Sequence, residues 1–117
     1  MPLKPLDWLG STLDDLRAFP DDARQRTGFE LYRLQLGLDP ADWKPMASVG
    51  PGVREIRVQT GRQFRVLYVA KFAEAIYVLH AFEKKSQQTP KRELDLARQR
   101  LSELLRRRRQ QAPGRPE

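Results

Sequence analysis

The sequence predicts an α+β domain: two N-terminal helices, a three-stranded antiparallel meander and a C-terminal amphipathic helix. Three observations carry this. Ala23, Thr27, Leu31, Leu34 and Leu38 recur at helical spacing. From Val53 to Phe82, β-branched and aromatic residues dominate, broken by two polar turns. Helical spacing returns after Thr89-Pro90, in Leu94, Ala97, Leu101 and Leu104. The order is α-α-β-β-β-α in 117 residues, a length that suits one domain.

Each element has its local reason. Residues 1–10 carry two prolines and read as an extended lead-in. Ser11 or Thr12 can cap a short helix whose Asp14 and Asp15 suit the positive end of the helix dipole. Pro20 interrupts it. The second helix runs from Asp21 to about Gly37, a natural stop signal. Gly28 weakens its middle by about 1 kcal/mol relative to alanine. Asp39 to Gly52 holds three prolines and two glycines and reads as irregular, pinned by Trp43 and Met46. Val53–Val58 and Gln63–Ala70 flank the turn Gln59–Arg62 as a hairpin. Lys71–Glu74 turns into a third strand, Ala75–Phe82. Thr89 caps the last helix, with Pro90 in its first turn. Residues 1–105 form the domain, and 106–117, with Arg106 to Arg109, read as a basic, disordered tail.

Charge divides the chain in two. Residues 1–83 hold 11 Lys/Arg and 11 Asp/Glu, while residues 84–117 hold 11 against 4. The whole net charge of +7 therefore starts at Lys84. A one-sided basic region suits a polyanion or an acidic protein partner, or is simply a solvated tail. There is no cysteine and one histidine, which excludes disulfides, a thiolate nucleophile and a multi-His metal site. No apolar run approaches membrane-spanning length, and the opening residues hold no signal-peptide core. A cytoplasmic protein without membrane association, metal or other cofactor is expected.

Gly-rich phosphate loops, HExxH pairs and a serine on a strand-to-helix turn are all missing. What remains is a set of cations around the strands. Arg54, Arg57, Arg62 and Arg65 lie on the hairpin, Lys71 on the next turn, and Lys84 and Lys85 where the last strand ends. Tyr68, Tyr77, His80 and Phe82 are interleaved. This inventory suits phosphodiester chemistry on RNA, because the substrate's own 2′-hydroxyl is a nucleophile. The protein then has to orient the backbone and neutralise charge on the phosphate. Aromatic faces stack on unpaired bases. The same residues also suit RNA binding without cleavage. Each has a plain structural reading as well. Arg65 can pair with an acid such as Glu55, Arg57 can be a solvated edge residue, and His80 can be a satisfied core residue. Tyr68 and Phe82 can be core.

Val-Arg-Glu-Ile-Arg-Val, Phe-Arg-Val-Leu-Tyr and Val-Leu-His-Ala-Phe-Glu-Lys-Lys-Ser-Gln-Gln-Thr-Pro, followed by an amphipathic helix, form a recognisable series. The chain resembles the RelE/ParE superfamily of bacterial toxins, closest to its HigB-like, phage-derived branch, over about residues 15–105. The resemblance implies a RelE-like α+β toxin of a type II toxin–antitoxin system. It implies a ribosome-dependent endoribonuclease, an mRNA interferase that inhibits translation by metal-independent cleavage. Its partners would be mRNA, the ribosome and a cognate, HigA-like helix-turn-helix antitoxin. Carried over by position, Arg57, Arg65 and Lys84 become catalytic. Lys85 is carried over beside Lys84 at the basic end of the last strand, and it is read as RNA-binding together with Arg62, Arg54, Lys71 and Tyr68 of the inventory above. The tyrosine that some RelE members carry near the C-terminus has no equivalent here. The resemblance thus leaves His80 as the acid/base candidate, with Tyr68 behind it. A ParE-like gyrase inhibitor without nuclease activity, or an inactive member that binds only its antitoxin, are the alternatives.

Overall fold

The computed structural model describes residues 2–111. Its elements are β1 (Leu6–Trp8), α1 (Thr12–Arg17), α2 (Asp21–Gln35), β2 (Trp43–Pro45), β3 (Val53–Gln59), β4 (Gln63–Val69), β5 (Ile76–Glu83) and α3 (Lys91–Gln111). The predicted meander is present as β3-β4-β5. It is the centre of a five-stranded sheet in the order β1-β5-β4-β3-β2. The two added strands correct the sequence reading. β1 forms in the stretch expected to be a lead-in and runs parallel to β5 through Leu6↔Ile76 and Trp8↔Val78. β2 forms in the stretch expected to be irregular and pairs with β3 through Lys44↔Glu55. Both are three residues long and proline-bordered, so neither shows a period. Proline is tolerated there because these are edge strands.

Helices cover both faces of the sheet. On one, Leu16 and Phe19 of the α1 region and Ala23, Leu31 and Leu34 of α2 meet Ile56, Val58, Phe64, Val66 and Tyr68. On the other, Ala97, Leu101 and Leu104 of α3 meet Val53, Leu67, Val69, Tyr77 and Leu79. This two-sided burial explains why β4 and β5 are apolar at almost every position rather than alternating. Leu104 is fully buried. Truncating such a leucine typically costs about 2–5 kcal/mol.

Gly37 ends α2 with a left-handed φ of 84°. The Leu38 N–H then donates to the Arg33 carbonyl at 2.9 Å, and the Gly37 N–H to Leu34 at 3.0 Å. This paired closure satisfies the last helical carbonyls. It also turns Leu38 away from the stripe on which spacing placed it, and Leu38 is exposed.

The basic tail is the other correction. Arg106 to Arg109 continue α3, which runs to Gln111; residues 112–117 of the expected tail lie outside the described residues. Arginine is a good helix former, and the sheet edge gives the run specific partners. Arg107 Nη2 lies 3.1 Å from Asp7 Oδ2, and Arg108 Nε lies 2.6 Å from Glu74 Oε2. The Arg108 guanidinium also stacks 3.6 Å from the Phe72 ring centroid. No helix among the described residues is long and apolar enough to cross a membrane.

One irregularity decides which way the end of β5 faces. The β4–β5 register skips between Leu67↔His80 and Tyr68↔Val78, leaving Leu79 as an extra residue on β5. The bulge shifts the alternation, as bulges do. His80 and Phe82 therefore take the α3 side of the sheet, which Tyr77 and Leu79 also face.

Candidate functional site

Side chains alternate along a strand, so residues two apart share a face. Glu55 and Arg57 of β3, Arg65 of β4, and Lys44, paired opposite Glu55 on β2, all share the α3 side of the sheet. The centre of this group is the Glu55 carboxylate, 2% exposed. Its Oε1 lies 3.3 Å from Arg57 Nε, 3.7 Å from Arg65 Nε and 4.0 Å from Lys44 Nζ. Lys84 follows β5, its N–H donating to the Gln63 carbonyl at 2.8 Å. Burial holds its ammonium below the usual lysine range, and the positive charges of Arg65, Lys44 and Arg57 push the same way against Glu55. Three cations thus lie within 4.0 Å of one buried carboxylate, Lys84 feels the same charges, and Asp42 adds a second negative charge near Arg65, so cations outnumber acids in the patch.

Arg65 lies deepest. Its Nη1 donates to the Phe64 carbonyl at 3.0 Å and its Nη2 to Gln63 Oε1 at 3.1 Å. Its Nε is buried without a hydrogen-bond partner among the described residues. Burial lowers the guanidinium below the ordinary arginine range, opposed by Glu55. Arg57 and Lys44 present the same charge nearer the surface, with side chains 35% and 44% exposed.

His80 is built differently. It is 5% exposed and stacks on Phe82 at 4.9 Å between centroids. Its Nδ1 lies 3.3 Å from Arg100 Nη1, and its Nε2 lies 2.7 Å from Glu93 Oε1. A guanidinium only donates, so Nδ1 accepts, and Nε2 carries the proton it gives to Glu93. Both ring nitrogens are therefore occupied. Arg100 also donates to the Leu79 carbonyl at 3.0 Å and to Ser11 Oγ at 3.0 Å. This network ties the β5 bulge to α3 and to the start of α1. A Cβ on Gly10, with φ 57°, would sit 2.7 Å from Arg100 Nε, so that turn needs glycine.

The remaining expected site residues divide. Arg62 and Lys85 lie beside Lys84 around a cleft at the same end of the sheet. Arg54 and Lys71 lie at the opposite end. Arg54 stacks 4.1 Å from the Trp43 ring and pairs with Asp39 at 3.2 Å, and it takes the α2 side because it is three residues from Arg57. Lys71 packs against Gly52 and over Phe72. Tyr68 is fully buried in the α1/α2 core, where burial pushes its hydroxyl up to about 12 against the opposing pull of Arg54. These three therefore stand apart from the patch, and Tyr68 offers no face for a base to stack on. Sequence reasoning missed Lys44, hidden in a proline-bordered strand, and took Glu55 only as a possible partner of Arg65. It also missed Glu93 and Arg100, although Arg100 falls on the α3 stripe, between Ala97 and Leu104.

Two comparisons bear on this geometry. The sequence pattern of the family described as phage-derived protein Gp49-like matches residues 14–102, a span that includes every residue of the patch. No curated protein matches the chain.

Proposed function

The chain belongs to the phage-derived, Gp49-like family, a RelE/HigB-like toxin family, and on that premise we propose that it is the toxin of a type II toxin–antitoxin pair that cleaves mRNA on the translating ribosome. The observation that carries the reading is the convergence of Lys44, Arg57 and Arg65 on Glu55, with the Lys84 ammonium in the field of the same group. A patch in which cations outnumber acids, with Arg57 and Lys44 partly exposed, suits a phosphodiester backbone.

In this reading the RNA runs across β3, β4 and β5. The 2′-hydroxyl attacks the adjacent phosphorus, negative charge builds on the non-bridging oxygens, and the P–O5′ bond breaks to leave a 2′,3′-cyclic phosphate, while the hydroxyl proton passes through water to the departing 5′-oxygen. Arg57, Lys44 and Lys84 meet that charge from the surface. Arg65 acts from beneath through its charge, held by Glu55. Glu55 holds like charges in fixed positions, so the donors are oriented before the substrate arrives. Losing one preorganised donor of this kind costs about 10²–10³-fold in rate. His80, with both nitrogens occupied, supports Phe82, which pairs across from Arg65, rather than the reacting atoms. The partner is a HigA-like, helix-turn-helix antitoxin that silences the toxin in the cell.

The test is a translating extract supplied with the purified chain. New 5′ ends within the translated mRNA support the proposal. Intact mRNA together with blocked DNA supercoiling replaces it with a gyrase inhibitor. Intact mRNA with neither effect leaves a chain that binds only its antitoxin.

A further inference from the structure

Arg65 is placed by charge and aimed by hydrogen bonds, and the two come from different residues. Its Nε lies 3.7 Å from Glu55 Oε1, an ion pair without a hydrogen bond. Coulomb attraction at that distance fixes where the guanidinium sits but depends little on its tilt. A hydrogen bond is directional and weakens steeply as its angle closes. Arg65 makes two among the described residues. Nη1 donates to the carbonyl of its own neighbour Phe64 at 3.0 Å, and Nη2 donates to Gln63 Oε1 at 3.1 Å. Among the described residues, Gln63 is thus the other side chain that grips the plane of this buried guanidinium by a hydrogen bond.

The strand explains how it does so. Gln63 opens β4 two residues before Arg65, so both side chains take the α3 side of the sheet. Gln63 is exposed at the rim, while Arg65 is 7% exposed beneath it. The Gln63 main-chain carbonyl also accepts the Lys84 N–H at 2.8 Å. One residue therefore touches two of the patch's cations, Arg65 through its side chain and Lys84 through its backbone. An amide has a property here that a carboxylate lacks: it orients a guanidinium without subtracting charge. Glu55 already opposes the patch cations. A second acid on the same face would cancel more of the charge that a phosphate meets.

We infer that Gln63 is a positioning residue for the cleavage: its amide sets the tilt of the Arg65 guanidinium, so that the deepest cation of the patch is aimed before RNA arrives. The inference rests on the RNA reading of the patch and adds to it the residue that orients Arg65. Arginine presents its donors in a rigid planar fork, so a change of tilt moves all of them together.

The test compares the wild-type chain with Gln63→Ala and Gln63→Glu. The position is exposed, and circular dichroism checks that both variants stay folded. In nitrogen NMR of the free chain, a guanidinium held by hydrogen bonds gives separate Nη1 and Nη2 signals, and a freely turning one gives an averaged signal. The Arg65 signals should be separate in the wild type and in Gln63→Glu, and should merge in Gln63→Ala. Cleavage is then timed on purified ribosomes stalled on a defined mRNA. Gln63→Ala should lower the maximal rate by about tenfold or more, the scale of a misplaced reacting group. Its half-saturating ribosome concentration should stay unchanged. Gln63→Glu keeps the acceptor and adds an acid, so it should raise the half-saturating concentration and make its salt dependence shallower.

Separate Arg65 signals in Gln63→Ala overturn the inference, as does a wild-type maximal rate in that variant. Equal loss of maximal rate in both variants also overturns it, because Gln63→Glu still offers an acceptor to Arg65. Uncut mRNA with the wild type, together with Arg65 signals that merge in Gln63→Ala, removes the nuclease reading and leaves Gln63 as the residue that orients Arg65.

Discussion

Arg65 Nε lies 3.7 Å from Glu55 Oε1, and both side chains are almost wholly buried. The distance is that of an ion pair without a hydrogen bond, so the guanidinium is held by charge while its Nε stays unpartnered. Arg57 approaches the same oxygen more closely, at 3.3 Å. One carboxylate thus sets the positions of two arginines on neighbouring strands.

Removing that carboxylate leaves buried positive charge uncompensated. Glu55→Ala should destabilise the fold by about 3–5 kcal/mol, the usual cost of breaking a buried pair from one side. Urea unfolding of the variant checks this. A loss below about 1 kcal/mol would mean that solvent screens the cluster, and that Glu55 does not organise it.

The network around His80 makes a separate prediction. Arg100 fixes the tautomer, so nitrogen NMR should show the proton on Nε2 and an accepting Nδ1. Glu93→Ala should cost about 1–3 kcal/mol in unfolding, because it leaves a buried N–H without a partner. A proton on Nδ1 would show that the ring is turned and that Arg100 points elsewhere.

Much of this arrangement is legible in the sequence. Periods of two and of three to four mark the meander and the helices. Arg57, Arg65 and Lys84 come together because Arg57↔Arg65 is a cross-strand pair and Lys84 follows the strand next door. Alternation alone also separates Arg54 from Arg57 and Tyr68 from Arg65, since each pair is an odd number of residues apart. Counting all the cations on the hairpin as one group overlooks that parity. Other features are not local properties. Lys44 joins the patch only because a three-residue edge strand pairs with β3. The bulge at Leu79 decides which way His80 faces. Arg107 and Arg108 are helical because Asp7 and Glu74, far away in sequence, meet them. Long-range pairing decides these cases, and no window of neighbouring residues contains it.

The Arg108–Glu74 contact gives a pH dependence of definite sign. Hydrogen bonds from Arg108 and then Tyr77 hold the Glu74 carboxyl down to about 2, from an ordinary value of 4.5. A depressed carboxylate stabilises the fold above its unfolded value, and that contribution is lost as pH falls from about 4.5 through about 2. The pair is half exposed, so solvent limits the effect to under about 1 kcal/mol. Unfolding measured between pH 6 and pH 2 should show Glu74→Gln losing less stability than the wild type over that window. Identical curves would mean that α3 is not clamped at this point.

The central claim is that the cations around Glu55 stabilise charge on an RNA phosphate, and Arg57 is the place to test it. Its side chain is partly exposed, so Arg57→Ala should unfold within about 1 kcal/mol of the wild type. The measurement is the rate of mRNA cleavage in a translating extract by wild type and Arg57→Ala at equal concentrations of folded protein. The account predicts a loss of about 100-fold or more in the variant. Cleavage at the wild-type rate by a folded Arg57→Ala chain would contradict it.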